Sequence, residues 1–231
     1  MKIASFEVLM QLLRDRPGFL TEIEQQKNLD KKIVALLFCS ALFLALYGAI
    51  IGSTNGALQM LSSAFKFPAL YLLTLLICLP TLYFLDIIFG SKRTFGQYFV
   101  LLMASMALIS VMLFGFAPVT LFFRLSILDY RFFLLLNLIV LSITGIIGVK
   151  FFYRSMISLV EKESDSLTTS GNRYKLIKAW LFLYGFVGSQ LGWTLRPFFG
   201  APNLEFALFR EIESNFFVEV TKIISSFIGF Y

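Results

Sequence analysis

The 231-residue chain is 58% hydrophobic and only 15% charged, with 28 Phe, no His and a net charge of +6 from 20 Lys+Arg against 14 Asp+Glu. An average soluble domain is about 45–50% apolar and about 25% charged. The composition is therefore that of an integral membrane protein, and it excludes disorder, a secreted disulfide scaffold and most soluble enzymes. Without histidine the chain also lacks His-type zinc sites, His-held haem, Ser/His/Asp or Cys/His catalysis and the Ser/His pair of some intramembrane proteases.

The N-terminal arm, residues 1–32, mixes acids with bases and has neither a continuous apolar core nor a small-residue cleavage site, so no removable signal peptide is expected. Within it Ile3, Phe6, Leu9, Met10 and Leu13 recur at helical spacing until Pro17 and Gly18 stop the pattern. This predicts an amphipathic helix on the cytoplasmic leaflet or against the bundle. Residues 33–200 hold the membrane bundle. A spanning helix needs about 20 mainly apolar residues, and five stretches qualify: 33–52, 67–90, 97–118, 132–153 and 176–198. None alternates as a barrel strand would, so the fold class is an all-α polytopic bundle.

Cys39 and Cys78 lie inside apolar runs and read as small core hydrophobes. The stretch after the first span, ending at Pro68, predicts a short helix along the outer surface. The segment 161–172, EKESDSLTTSGN, predicts an exposed cytoplasmic linker. Beyond the fifth span, residues 201–231 carry Phe206, Phe209, Ile212, Phe216, Val220, Ile223 and Phe227 on one face. Glu205, Glu211, Glu213, Glu219 and Lys222 mostly face away. Such charges are costly at mid-bilayer, which favours an outer interfacial helix over a sixth span. Counting Lys and Arg by side gives 14 around the N-terminal arm and the second and fourth connections, against 6 elsewhere. That places the N-terminus in the cytoplasm and the C-terminus outside. The basic residues fall between spans rather than in one stripe, so nucleic acid is not an expected partner.

Three constellations are candidates for function. Gly48, Gly52 and Gly56 recur every four residues, a doubled GxxxG ridge that serves either a partner interface or packing within the bundle. In GFVGSQLGWTLRPFFGAP (185–202), Gln190, Trp193 and Arg196 form either a polar site for a lipid headgroup or another subunit, or an aromatic-belt anchor with a snorkelling Arg. Asp86, Asn137 and Pro80 are read as structural: Asp86 is expected to meet Lys92 or Arg93, Asn137 a neighbouring helix, and Pro80 to kink the second span. No metal or cofactor is expected, and no catalytic set is found.

The run from the Gly-ended first span through FKFPALYLLTLLICLPTLYFLDIIFGSKRTFGQ and two further spans with a basic loop resembles the Yip1-type five-span membrane proteins, over about half the chain. The resemblance implies a helical bundle with a cytoplasmic N-terminus that interacts with other membrane proteins. The chain lacks that family's DLYGP-like motif and has a very short arm. LDKKIVALL (29–37) resembles the actin-binding WH2 motif, although Lys31 and Lys32 abut a span directly and also suit a positive stop. The whole chain, including GSQLGWTLRPFFGAP, also resembles bacterial and particularly cyanobacterial membrane proteins, which implies an inner or thylakoid membrane and no particular activity. The expected function is a non-enzymatic membrane scaffold or accessory subunit that binds other membrane proteins or itself. The alternative is a channel or transporter using the polar site on the fifth span.

Overall fold

The computed structural model describes residues 2–127, 129–163, 167–200, 205–209, 218, 220–221 and 225, with the side chains of 2–4, 162–163 and 167–170 outside that description. Among these residues the chain forms seven α-helices and no strand: α1 (Lys2–Arg14), α2 (Arg16–Glu24), α3 (Leu29–Gly52), α4 (Ala57–Ile88), α5 (Phe95–Ser126), α6 (Tyr130–Glu163) and α7 (Leu167–Thr194). The stretches Leu29–Asn55, Ala57–Ile88, Phe95–Ser126 and Tyr130–Glu161 are each long and apolar enough to cross a membrane. The protein is thus an all-α bundle with the make-up of a membrane-embedded chain. Helix α7 occupies the place of the fifth expected span but is not one of those four. Lys178, Ser189, Gln190 and three glycines dilute its apolar run.

Helix α1 packs on α3 and α5 through Leu9 and Leu12, whereas Phe6 and Leu13, two positions of the apolar face read from the sequence, stay exposed. Of the two positions open to it, the arm takes the one against the bundle. Pro17 and Gly18 do not end helical structure there, contrary to the pattern reading. The break is the single residue Asp15, whose carboxylate accepts from the Gly18 N–H at 3.0 Å and caps α2. Pro17 then sits in the first turn of α2, where a missing N–H costs nothing. Phe19 and Ile23 carry α2 into the same core.

Proline also fails to mark helix ends in the bundle. Helix α4 runs unbroken through Pro68 and Pro80, and α5 passes Pro118 to end at Ser126. The expected surface helix ending at Pro68 is therefore the first turns of α4. In water a mid-helix proline costs about 3 kcal/mol. In lipid, breaking the helix would strand more backbone groups than the proline itself removes, so the helix continues. The expected linker 161–172 is corrected in the same way: α6 reaches Glu163 and α7 begins at Leu167.

Helix α5 is the axis. Its buried positions, from Tyr98 through Met103, Ala107 and Leu113 to Ala117, lie on several faces, and it packs against α3, α6, α4 and the arm. Helix α3 lies between α4 and α5, while α7 leans on α4 and more sparsely on α6. Thr94 and Gln97 form a capping box at the start of α5, and the Gln97 amide donates to the Ile23 carbonyl at 2.9 Å. The amphipathic helix expected over 201–231 falls largely outside the described residues.

Candidate functional site

Gly48 and Gly52 face α4. A Cβ at Gly48 would lie 2.5 Å from the Ser63 carbonyl oxygen and 2.9 Å from Phe67 Cβ; one at Gly52 would lie 2.6 Å from Ser63 Oγ and 2.7 Å from the Gln59 carbonyl oxygen. This close approach is a contact within the chain. Gly56 does not continue the ridge: a Cβ there would meet nothing within 4 Å, and its φ of +93° makes it the turn residue before α4.

At the same end, the chain leaving α7 is strapped to the α3–α4 turn. Thr54 Oγ1 donates to the Gly200 carbonyl at 2.6 Å, the Gln59 amide to the Pro197 carbonyl at 2.9 Å and Ser63 Oγ to the Phe198 carbonyl at 2.6 Å. Lys66, nearly buried, reaches the Leu208 carbonyl and lies 4.5 Å over the Phe209 ring. These donors were missed in the sequence because Gln59, Ser63 and Lys66 sit in what reads as a surface segment.

Of the three polar residues singled out on the fifth span, two come together. The Arg196 guanidinium carbon stacks 3.6 Å from the Trp193 ring centroid. Both line a cavity of about 640 Å³ between α4, α5, α6 and α7, and Gln190 does not. The walls are mainly apolar, with Tyr71, Thr74, Tyr130, Ser142, Tyr184 and Ser189 as the hydroxyl-bearing residues and Gly145, Gly185, Gly188 and Gly192 where the helix backbones are bare.

A second centre lies at the opposite end of the bundle, where the carboxylate of Asp86 is fully buried. It accepts from Arg173 Nε at 2.8 Å and Nη2 at 2.9 Å, and from the Tyr98 hydroxyl. Ser91 and Tyr98 hydroxyls meet at 2.6 Å, and Arg93 turns away to the Leu159 carbonyl. The expected partners of Asp86, Lys92 or Arg93, are replaced by Arg173 from the segment beside the supposed linker. A bidentate guanidinium suits a dry carboxylate better than a single ammonium would. Asn137 accepts from the Tyr47 hydroxyl at 2.7 Å, joining α6 to α3, and the Trp180 indole donates to the Cys78 carbonyl at 3.0 Å, joining α7 to α4.

Lys32, read as an interfacial stop, is only 3% exposed. Its ammonium pairs with Glu22, reaches Gln11 Oε1 at 3.4 Å and lies 4.8 Å over the Phe19 ring. The hydrogen bond from Lys32, with help from Gln11, holds the Glu22 carboxyl below its ordinary value of 4.5. Among the described residues no group of three or more Cys, Asp or Glu side chains gathers where it could hold a metal ion.

Compared with known proteins, the chain matches no family model, no curated protein and no solved structure.

Proposed function

We propose that the protein is a non-enzymatic scaffold or accessory subunit of a membrane, binding another membrane protein or a second copy of itself. The observation that carries this reading is the use made of its buried polar side chains. Asp86 with Arg173, Tyr47 with Asn137, and Gln59 and Ser63 with the strap carbonyls all join one segment of the chain to another. Polar groups that serve as joints fix a shape, and a fixed shape with apolar outer faces suits association in the bilayer. In this reading α7 is the fifth crossing, the arm with its basic residues lies on the cytoplasmic side and the strap lies outside, in a bacterial inner or thylakoid membrane. The resemblance to Yip1-type proteins supports the same role. Because α4 fills the Gly48–Gly52 face, the partner surface lies elsewhere, on exposed apolar flanks such as that of Leu61 and Phe65 on α4.

Affinity purification of the full chain in mild detergent tests this. A stoichiometric membrane-protein partner or a homo-oligomer is expected. A clean monomer in several detergents and in nanodiscs overturns it.

A further inference from the structure

The cavity between α6 and α7 exists because wall positions on those helices carry no side chain. A Cβ at Gly145 or Gly185 would meet nothing within 4 Å, and one at Gly188 would only touch Thr74 Cγ2 at 3.4 Å. At about 640 Å³ the space falls within the range of about 300–1,000 Å³ occupied by small-molecule sites. On α6 its lining runs from Tyr130 to Val149. At 1.5 Å per residue that wall is about 28 Å long, nearly the whole of a hydrocarbon layer of roughly 30 Å.

Two phenols lie partway along this slot. Tyr71 comes eight residues after Ser63 on α4, and Tyr184 nine residues before Trp193 on α7. Both therefore sit about 12–14 Å below the strapped end of the bundle. They are within electrostatic reach of each other, and among the described residues neither hydroxyl makes a hydrogen bond. A hydroxyl in so apolar a place needs an acceptor, and the occupant must bring it to that depth. A glycerolipid does not: its ester carbonyls stay at the hydrocarbon boundary, and its chains would leave both phenols facing methylene groups. A charged head is disfavoured too. Among the described wall residues only Arg196 is charged, and it is already held on the Trp193 ring.

The occupant that fits is neutral, carries carbonyl oxygens well inside the membrane, and has a long apolar tail for the rest of the slot. The bare backbone at Gly145, Gly185 and Gly188 also lets a flat ring approach the helices closely. We propose that the cavity is a binding site for an isoprenoid-type quinone. The ring lies against the glycine positions, its carbonyl oxygens accept from Tyr71 and Tyr184, and the tail follows the apolar wall of α6. The site stands on the cavity alone and does not require a protein partner.

Tryptophan emission tests this, because quinones quench it and both tryptophans of the chain report on the slot. Trp193 lines it, and the Trp180 ring lies 5.3 Å from that of Tyr184. The full chain in phosphatidylcholine nanodiscs is titrated with decylubiquinone, and saturable quenching is expected. Gly145→Leu and Gly185→Leu should fill the slot and leave only quenching that rises linearly with quinone content. Gly115→Leu, at an equally open glycine outside the cavity, should keep the saturable component, with thermal midpoints recorded for all three. Tyr71→Phe combined with Tyr184→Phe keeps both rings and removes both donors, and should weaken binding by about tenfold or more; this pair decides the matter if the leucine variants do not fold. Decylbenzene, which has the tail and ring without carbonyl oxygens, and phosphatidylglycerol should each fail to restore emission at equal content. Purely linear quenching in the wild type overturns the proposal. So does saturation that survives in a folded leucine variant, unchanged affinity in the double phenylalanine variant, or displacement of the quinone by decylbenzene or phosphatidylglycerol.

Discussion

A carboxylate with no accessible surface must find its counter-charge, and Asp86 finds Arg173. Removing one partner strands the other, which costs about 3–5 kcal/mol, whereas replacing both with apolar residues of similar volume is often close to neutral. Arg173→Met is therefore expected to lower unfolding stability by about 3–5 kcal/mol, while Asp86→Leu combined with Arg173→Met recovers most of the loss. Unfolding in mixed micelles measures both. If the double variant is no better than the single one, the pair is not what makes the site costly. The need of Asp86 was legible in the sequence, since a lone acid in an apolar run demands a cation. The identity of the cation was not, because proximity along the chain favoured Lys92 and Arg93 while the helix geometry turned Arg93 to a backbone carbonyl.

Glu22 gives a residue-level prediction in pH. Its folded-state carboxyl titrates below its ordinary value of 4.5 because Lys32 stabilises the charged form. Such a group contributes stability above that ordinary value, and the contribution is lost as pH falls through the lowered one. Glu22→Gln should thus flatten the fall of thermal midpoint with acidification below about pH 4.5. Identical acid profiles for wild type and variant would argue against the contact.

At the scale of elements, glycine positions that look alike in sequence differ by what faces them. Gly48→Val drives a side chain into the Ser63 backbone, and overpacking of this kind costs about 1–3 kcal/mol. Gly56→Ala meets no atom but must hold a φ of +93°, for a loss of about 1 kcal/mol. Thermal midpoints of the two variants beside Gly115→Ala, expected to be unchanged, check the ranking. The GxxxG spacing showed that a close approach would occur; it could not show that α4 of the same chain would make it. Helix existence was readable from hydrophobic runs, but helix ends were not. Pro68, Pro80 and Pro118 would stop helices in water, and the solvent decides otherwise. The hidden helix α2 was lost for the opposite reason: its Pro17 is a start signal that resembles a stop.

For the whole molecule, the arm is part of the fold. Leu9, Leu12, Phe19 and Ile23 are buried in the same core as Leu36, Met103 and Met156, and Gln97 ties α2 to the start of α5. Deleting residues 2–24 should therefore open the bundle, seen as faster proteolysis within the connections between the long helices, and not merely weaken membrane attachment. Unchanged cleavage would mean the arm is dispensable to the bundle. Composition told what medium the protein inhabits because every residue contributes to it. The groove was only half legible: the thin glycine face of α7 and the Trp193–Arg196 pair stood out, but Tyr71 on α4 and Gly145 on α6 come to it through packing that no local pattern encodes.

The strap bears on the timing of synthesis. Gln59 waits 138 residues for the Pro197 carbonyl that it binds, and Thr54 and Ser63 wait comparably long. At about 5–20 residues per second, the α3–α4 hairpin spends roughly 7–28 s with those donors unmatched. A nascent or prematurely terminated chain thus advertises its incompleteness at one end of its first long hairpin, where a membrane chaperone or protease could detect it. Once residues 197–200 arrive, that mark is covered.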